Sequence, residues 1–235
     1  MSLLLLNLAI ATLTTLHPVE EKVMLRIEAT KDQRFEYQGI VDISGEKLGS
    51  LHGTFHRAER VIAASPEAVV QSAFFVGVSS SGNGILVTVK GDFDKLAGKS
   101  FQTSTLPNGR PTNGKKVNKE GAGTIIDLVF PDSEISVSDT WKSRLYQDDE
   151  LADVEIVYKL ISVSPTEAKI EATTTNSPKF KTSSPFVFIV DRKSGRPKFI
   201  KGVVLASPGG TTIEIRFEMK MIVPHQIMSF LAEAR

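Results

Sequence analysis

The chain has 235 residues, with Lys plus Arg at 28, Asp plus Glu at 27 and a formal net charge of +1. That balance lacks the basic footprint of a nucleic-acid binder and argues against a bulk polyanion partner. There is no cysteine, which removes thiol catalysis, disulfides, Cys-ligated zinc and Cys lipidation together. With 41% hydrophobic residues, a chain of this length buries a core without such staples.

The first segment, residues 1–17, stands apart. Leu3 to Leu16 is apolar, uncharged and closed by His17-Pro18. It is short for a membrane span, which needs about 20 apolar residues, and suits the apolar region of a secretory signal. The expectation is an exported protein, periplasmic or secreted, whose mature chain has no integral membrane span. The alternative is an ordinary first strand or helix packed on the core.

Residues 23–224 read as a β-rich domain. Phe35, Tyr37, Gly39, Val41 and Ile43 alternate with Glu36, Gln38 and Asp42. Successive strand side chains face opposite ways, so this run has one buried and one wet face. Leu48 to Ala63 alternates too and carries His52 and His56. On a helix that spacing aligns two metal ligands. On a strand the two sit about 13 Å apart, at about 3.3 Å per residue, too far for one ion. No metal site and no cofactor are expected.

Ser44-Gly45-Glu46, Ser65-Pro66-Glu67 and Ser81-Gly82-Asn83-Gly84 read as hairpin connections, because Gly and Pro supply the backbone angles that tight turns need. Helical patterning is weak in the interior, with one turn possible over Asp92 to Gly98. Asp92-Phe93-Asp94 and Asp148-Asp149-Glu150 are acidic clusters. Neither completes a calcium loop, and both read as solvated hairpin tips. Residues 103–123 hold Pro107-Asn108-Gly109, Pro111, Asn113-Gly114, Lys115, Lys116 and Lys119 with few apolar anchors. They read as a long basic loop, of a composition that favours disorder. No Gly-x-Ser-x-Gly elbow or phosphate loop occurs, and no catalytic residues are assigned.

A faint repeat relates Ala64-Ser65-Pro66-Glu67-Ala68 to Val163-Ser164-Pro165-Thr166-Glu167-Ala168, and each half closes on a strand and a proline, Thr124 to Pro131 and Thr212 to Pro224. Two related β-meanders, 23–131 and 139–224, account for it; chance and shared hairpin chemistry do so equally. The joint, Phe130-Pro131-Asp132-Ser133-Glu134-Ile135-Ser136-Val137-Ser138-Asp139-Thr140-Trp141, resembles the Pro…Val-Gly-Asp-x-Trp segment of poorly characterised exported bacterial β-rich proteins. Ser138 stands where those have glycine. The resemblance implies export and a β-rich fold, and brings no catalytic residues with it. Asp139 is expected to bond its own turn amides, and Trp141 to anchor the next strand.

Val154, Ile156, Tyr158 and Leu160 alternate with Glu155 and Lys159. Ile213, Ile215, Phe217, Met219 and Met221 alternate with Glu214, Arg216, Glu218 and Lys220. One wet face per strand points to antiparallel pairing. Lys193-Ser194-Gly195 and Pro208-Gly209-Gly210 read as turns. After Pro224, residues 225–235 form the one fair helix candidate.

The expected fold is therefore all-β: curved antiparallel sheets in a barrel-like or sandwich domain, with a short C-terminal helix. Large adaptable side chains at Phe74, Phe75, Phe186, Phe188, Met219 and Met221 suggest a concave face for a lipid-like ligand; the alternative, which the usual filling of small barrels by side chains favours, is that they simply fill the interior. The functional expectation is a non-enzymatic envelope protein binding an apolar small molecule or another envelope protein. The alternatives are an interaction module without a cavity, or a hydrolase with a site assembled only by the fold.

Overall fold

The computed structural model describes residues 21–112, 127–144, 154–175, 177, 180–207 and 210–222. The signal-like segment 1–17, the tail 225–235, Asp148-Asp149-Glu150 and the lysines of the 103–123 region lie outside the described residues.

Among the described residues, ten strands form one antiparallel sheet. The first meander is β1 (Arg34–Gly45), β2 (Gly49–Ala64), β3 (Val69–Gly82) and β4 (Ser100–Thr105). The second is β5 (Thr140–Arg144), β6 (Glu155–Val163), β7 (Glu167–Thr174), β8 (Phe180–Asp191), β9 (Pro197–Ala206) and β10 (Ile213–Ile222). Their order across the sheet is β4-β3-β2-β1-β10-β9-β8-β7-β6-β5. Each strand pairs with the next in the chain except β4 and β5, and one seam joins strands distant in the chain, where β1 pairs with β10 in the register Gly39 opposite Met219. That ladder joins the two meanders. The all-β expectation holds, and the sheet stays open, with β4 and β5 as its edges.

Alternation decides the faces. Tyr37, Phe55, Phe75, Phe188, Ile200 and Phe217 point inward into one buried cluster. This inner face is filled by the protein's own chain. Val23, Leu25, Val129, Phe130 and Ile135 are buried against it. Val23 and Ile135 exchange backbone hydrogen bonds of 2.8 and 3.0 Å. The same entering segment is held along its length, by Ile27 N–H to the Pro107 carbonyl at 2.6 Å and Glu28 N–H to the Ser194 carbonyl at 3.0 Å. Phe186 and Phe188 are fully enclosed, and truncating a side chain of that kind costs about 3–5 kcal/mol.

Both Ser-Pro turns use the same device. Ser65 Oγ accepts from the amides of Glu67 and Ala68, and Ser164 Oγ accepts from the Glu167 amide at 3.0 Å.

Three local expectations are corrected. Gly82-Asn83-Gly84 does not close a hairpin: Gly84 to Leu86 forms a 3-10 turn leading into α1 (Val87–Asp94). β-branched Val87 and Val89 disfavour helix locally, but tertiary contacts prevail. Leu86 N–H bonds the Leu48 carbonyl at 3.1 Å, and Asp94 Oδ1 accepts from Ser80 Oγ on β3 at 2.5 Å. Phe93 lies over Gly53, where an added Cβ comes within 2.7 Å of the ring. Second, residues 103–112 are built in rather than loose. Ser100–Thr105 pairs with β3, and Asn108 is buried, its Nδ2 donating to Asp132 Oδ1 at 2.7 Å. Third, the described part of 124–131 is not a sheet strand. Residues 127–130 run as a plug on the inner face, with the Phe130 amide bonded to the Asn108 carbonyl at 2.7 Å.

Candidate functional site

The six side chains singled out for an apolar ligand divide between the two faces. Phe75, Phe186, Phe188 and Met219 are buried in the core, and Met221 packs partly buried against it. Phe186 and Phe188 have ring centroids 6.4 Å apart, and Phe75 meets Phe55 edge-on at 5.9 Å. Glycines make room for two of these aromatics. A Cβ at Gly39 falls 2.1 Å from the Phe55 ring, and one at Gly202 falls 2.3 Å from the Phe186 ring. Phe74 is on the opposite face and 42% exposed. The six do not converge on one cavity.

The inner face also holds charge. Arg57, Glu59 and Arg196 are 7%, 7% and 4% exposed. Arg57 and Glu59 share the inward parity of Leu51, Phe55 and Val61 on β2, and that parity was the sequence signal available for them. Arg57 Nη2 meets Glu59 Oε1 at 2.7 Å, and Arg196 Nη1 lies 3.5 Å from Glu59 Oε2. Arg57 stacks over the Tyr37 ring at 5.3 Å and Arg196 over the Phe35 ring at 4.8 Å. Both contacts add cation–π attraction in a dry setting.

Arg196 is placed by the β8–β9 turn. Asp191 Oδ2 accepts from the Ser194 amide and hydroxyl at 2.8 and 2.7 Å, and the Asp191 amide bonds the Arg196 carbonyl at 2.9 Å. Gly195 has φ +65°, and a Cβ there would fall 1.9 Å from the Arg26 carbonyl oxygen, so only glycine fits. Burial pushes the Tyr37 phenol far above its ordinary range, and the charge of Glu59 adds to the rise. A cavity of about 130 Å³ adjoins the cluster, walled by Tyr37, Arg57, Glu59, Gln71, Asp127 and Arg196 among others.

On the outer face, β2 presents small side chains between larger neighbours. Two depressions follow one another along β1–β3. One, of 630 Å³, is lined by Gln38, Ile40, Thr54, His56, Gly77 and Ser79, with Lys220 and Glu218 at its side. The other, of 570 Å³, is lined by Arg34, Glu36, Ala58, Arg60, Ile62, Ser72 and Phe74. The cross-strand row Glu36, Ala58, Phe74 sets the floor of the second. Ile40, Ile62, Phe74 and Val76 are all exposed by 40% or more.

His52 and His56 are on this same face as strand residues. Each is committed to a carboxylate of β1: His52 Nδ1 to Asp42 Oδ1 at 2.6 Å and His56 Nε2 to Glu36 Oε2 at 2.8 Å. Among the described residues no three His, Asp or Glu side chains converge to hold a metal ion.

The Phe130–Trp141 joint is an anchor. Asp139 Oδ2 accepts from the Ser136 amide at 2.8 Å, and the Ser138 amide bonds the Leu160 carbonyl at 2.8 Å. Trp141 Nε1 donates to the Val129 carbonyl at 2.6 Å, and its ring stacks on Tyr158 at 5.4 Å. Ser138 has φ +78°, the left-handed region that favours glycine.

No family model and no curated protein matches the chain. Among solved structures it is similar to the crystal structure of a candidate outer membrane lipoprotein-sorting protein domain from Vibrio parahaemolyticus. The identity is 8% and the TM-score 0.22, over 80% of this chain and 86% of that one. Likeness at that level carries no argument about function.

Proposed function

We propose that this is an extracytoplasmic, non-enzymatic binding protein that engages an envelope protein through the outer face of β1–β3. The observation that carries the reading is the contrast between the faces. The inner face is covered by Val23, Leu25, Val129, Phe130 and Ile135 of the chain itself, whereas the outer face exposes Ile40, Ile62, Phe74 and Val76 beside two open depressions. Clustered exposed apolar side chains rimmed by Arg34, Arg60, Glu36 and Lys220 have the make-up of a protein contact surface. Export rests on the charge-free run Leu3 to Leu16.

A second reading, an apolar small molecule, is favoured by one feature. Phe74 and Ile62 share the 570 Å³ depression, a size within the range of small-molecule sites. Of the six candidate residues, Phe74 is the one such a ligand reaches without unpacking the core.

Native mass spectrometry of the protein purified from its own envelope tests the proposal. A co-purified protein that the Phe74→Ser/Val76→Ser variant loses supports it, and a co-purified lipid supports the second reading. A bare mass for the unaltered protein contradicts both.

A further inference from the structure

One stretch of the sheet's edge is left bare. β4 pairs with β3 over residues 69–74, and the Phe75 amide and carbonyl still bond Lys99 and Gly98. Over residues 77–82 β3 is paired with β2 on one side, and on the other no described segment bonds its backbone. The register gives the direction of each group. The shift at His56/Arg57 inserts Val76 as an extra residue, so the phase is counted from the far end. There the Asn83 amide bonds the Ser50 carbonyl at 2.9 Å, just before β2's Leu51. Direction alternates along an antiparallel ladder, so Ser79 and Ser81 also turn to β2. Val78 and Ser80 turn their N–H and C=O to the open side.

The remaining edges are blunted. Beside β4 the Leu106 amide bonds the Arg110 carbonyl at 2.7 Å, and the Thr112 amide bonds the Ser104 carbonyl at 3.1 Å. β5 is five residues long and carries Lys142 and Arg144. Covering loops, short strands and charge are usual devices against unwanted pairing. Gly77-Val78-Ser79-Ser80-Ser81-Gly82 carries no charge and no proline, and Ser79, Ser81 and Gly82 are exposed. α1 packs beneath this stretch rather than beside it. Ser80 is opposite Gly53, and on that inner side Phe93 covers Gly53 and Asp94 accepts from Ser80 Oγ. The lateral position, about 4.8 Å from β3 and in line with β4, holds no described strand.

Alternating N–H and C=O groups at strand spacing recognise one chemistry, the backbone of another extended polypeptide. We propose that residues 77–82 take up an extended segment of a partner protein as a further strand in line with β4. A run of that length suffices in this sheet, since β5 pairs with β6 over five residues. The small side chains of Gly77, Ser79 and Ser81 leave the pairing tolerant of the guest's sequence. The inference does not rest on the outer-face reading, which uses the side chains of Phe74 and Val76.

The test is amide-resolved NMR of the full chain titrated with a blocked heptapeptide of alternating threonine and valine, and with the same peptide methylated on its interior backbone nitrogens. The first peptide is expected to shift the Val78 and Ser80 amides most and to slow their hydrogen exchange at least tenfold. The methylated peptide keeps the side chains but loses the donors, and is expected to bind at least tenfold more weakly. Ser80→Pro removes an edge donor without removing a bond to β2 and is expected to weaken the first peptide at least tenfold, whereas Phe74→Ser is expected to leave it unchanged. Should Ser80→Pro unfold, the methylated peptide decides on the unaltered chain. Absence of binding, equal binding of the two peptides, shifts centred on Phe74, or protection of Val78 and Ser80 by a second copy of the chain before peptide is added overturns the proposal.

Discussion

Glu59→Gln is the sharpest test of the buried cluster. The carboxylate touches Arg57 at 2.7 Å and Arg196 at 3.5 Å, with all three side chains under 10% exposed. Glutamine keeps the shape and removes the charge, leaving the two guanidinium groups without the anion they share. Removing one partner of a buried ion pair costs about 3–5 kcal/mol, chiefly as the penalty on the charge left behind. For a domain of 150–250 residues, each kcal/mol moves Tm by about 2–4 °C. The expected fall is therefore about 6–20 °C, read by circular dichroism at neutral pH, with urea unfolding as the parallel measure of free energy. Glu155→Gln is the control, because its pairing with Lys142 at 2.8 Å is solvent-exposed and such pairs contribute about 0–1 kcal/mol. Equal effects of the two substitutions would refute the burial of the cluster.

Three further outcomes are expected. Gly202→Ala drives a Cβ to 2.3 Å from the enclosed Phe186 ring and should cost about 1–3 kcal/mol by overpacking; urea unfolding with no loss refutes the contact. Ser138→Gly relieves the φ of +78°; the relief of about 1–2 kcal/mol exceeds the added unfolded-state entropy of about 0.4–1 kcal/mol, so Tm should rise by a few degrees, and a fall contradicts the assigned conformation. Tyr37 is held protonated in the folded state by burial. Its raised pKa makes its contribution whole below pH 10, the unfolded value, and lost as pH climbs beyond it, at about 1.4 kcal/mol per pH unit. Tyr37→Phe should flatten that alkaline slope of stability, and an unchanged slope counts against the burial.

The strands were legible because each has one wet face, so period two survives in β1, β6 and β10 and sets both the fold class and the antiparallel pairing. The helix was not. Ile85-Leu86-Val87-Thr88-Val89 carries no helical stripe, and it winds because Leu86, Phe93 and Asp94 find partners on β2 and β3 and in the loop before β2. The plug at 127–130 looked like a strand because a buried extended segment and a buried strand have the same composition. Arg57 and Glu59 announced themselves by occupying inward positions, but nothing local tied them to Arg196. That partner is 137 residues beyond Glu59 in the chain, and only the β1–β10 seam brings β9 within reach of β2. The separation of Phe74 from Phe75 was readable from parity alone, whereas the filling of the inner face by chain segments was not.

The seam between β1 and β10 fixes both faces, and the absence of cysteine makes it directly testable. Ile40 is opposite Glu218 on the outer face, and residues so placed have Cα atoms about 4.5–5.5 Å apart, inside the range a disulfide spans. Oxidised Ile40→Cys/Glu218→Cys is predicted to close an intramolecular disulfide, found by peptide mass mapping, far faster than the mismatched Ile40→Cys/Arg216→Cys. Bridging of the mismatched pair alone, or of neither, would contradict the single open sheet.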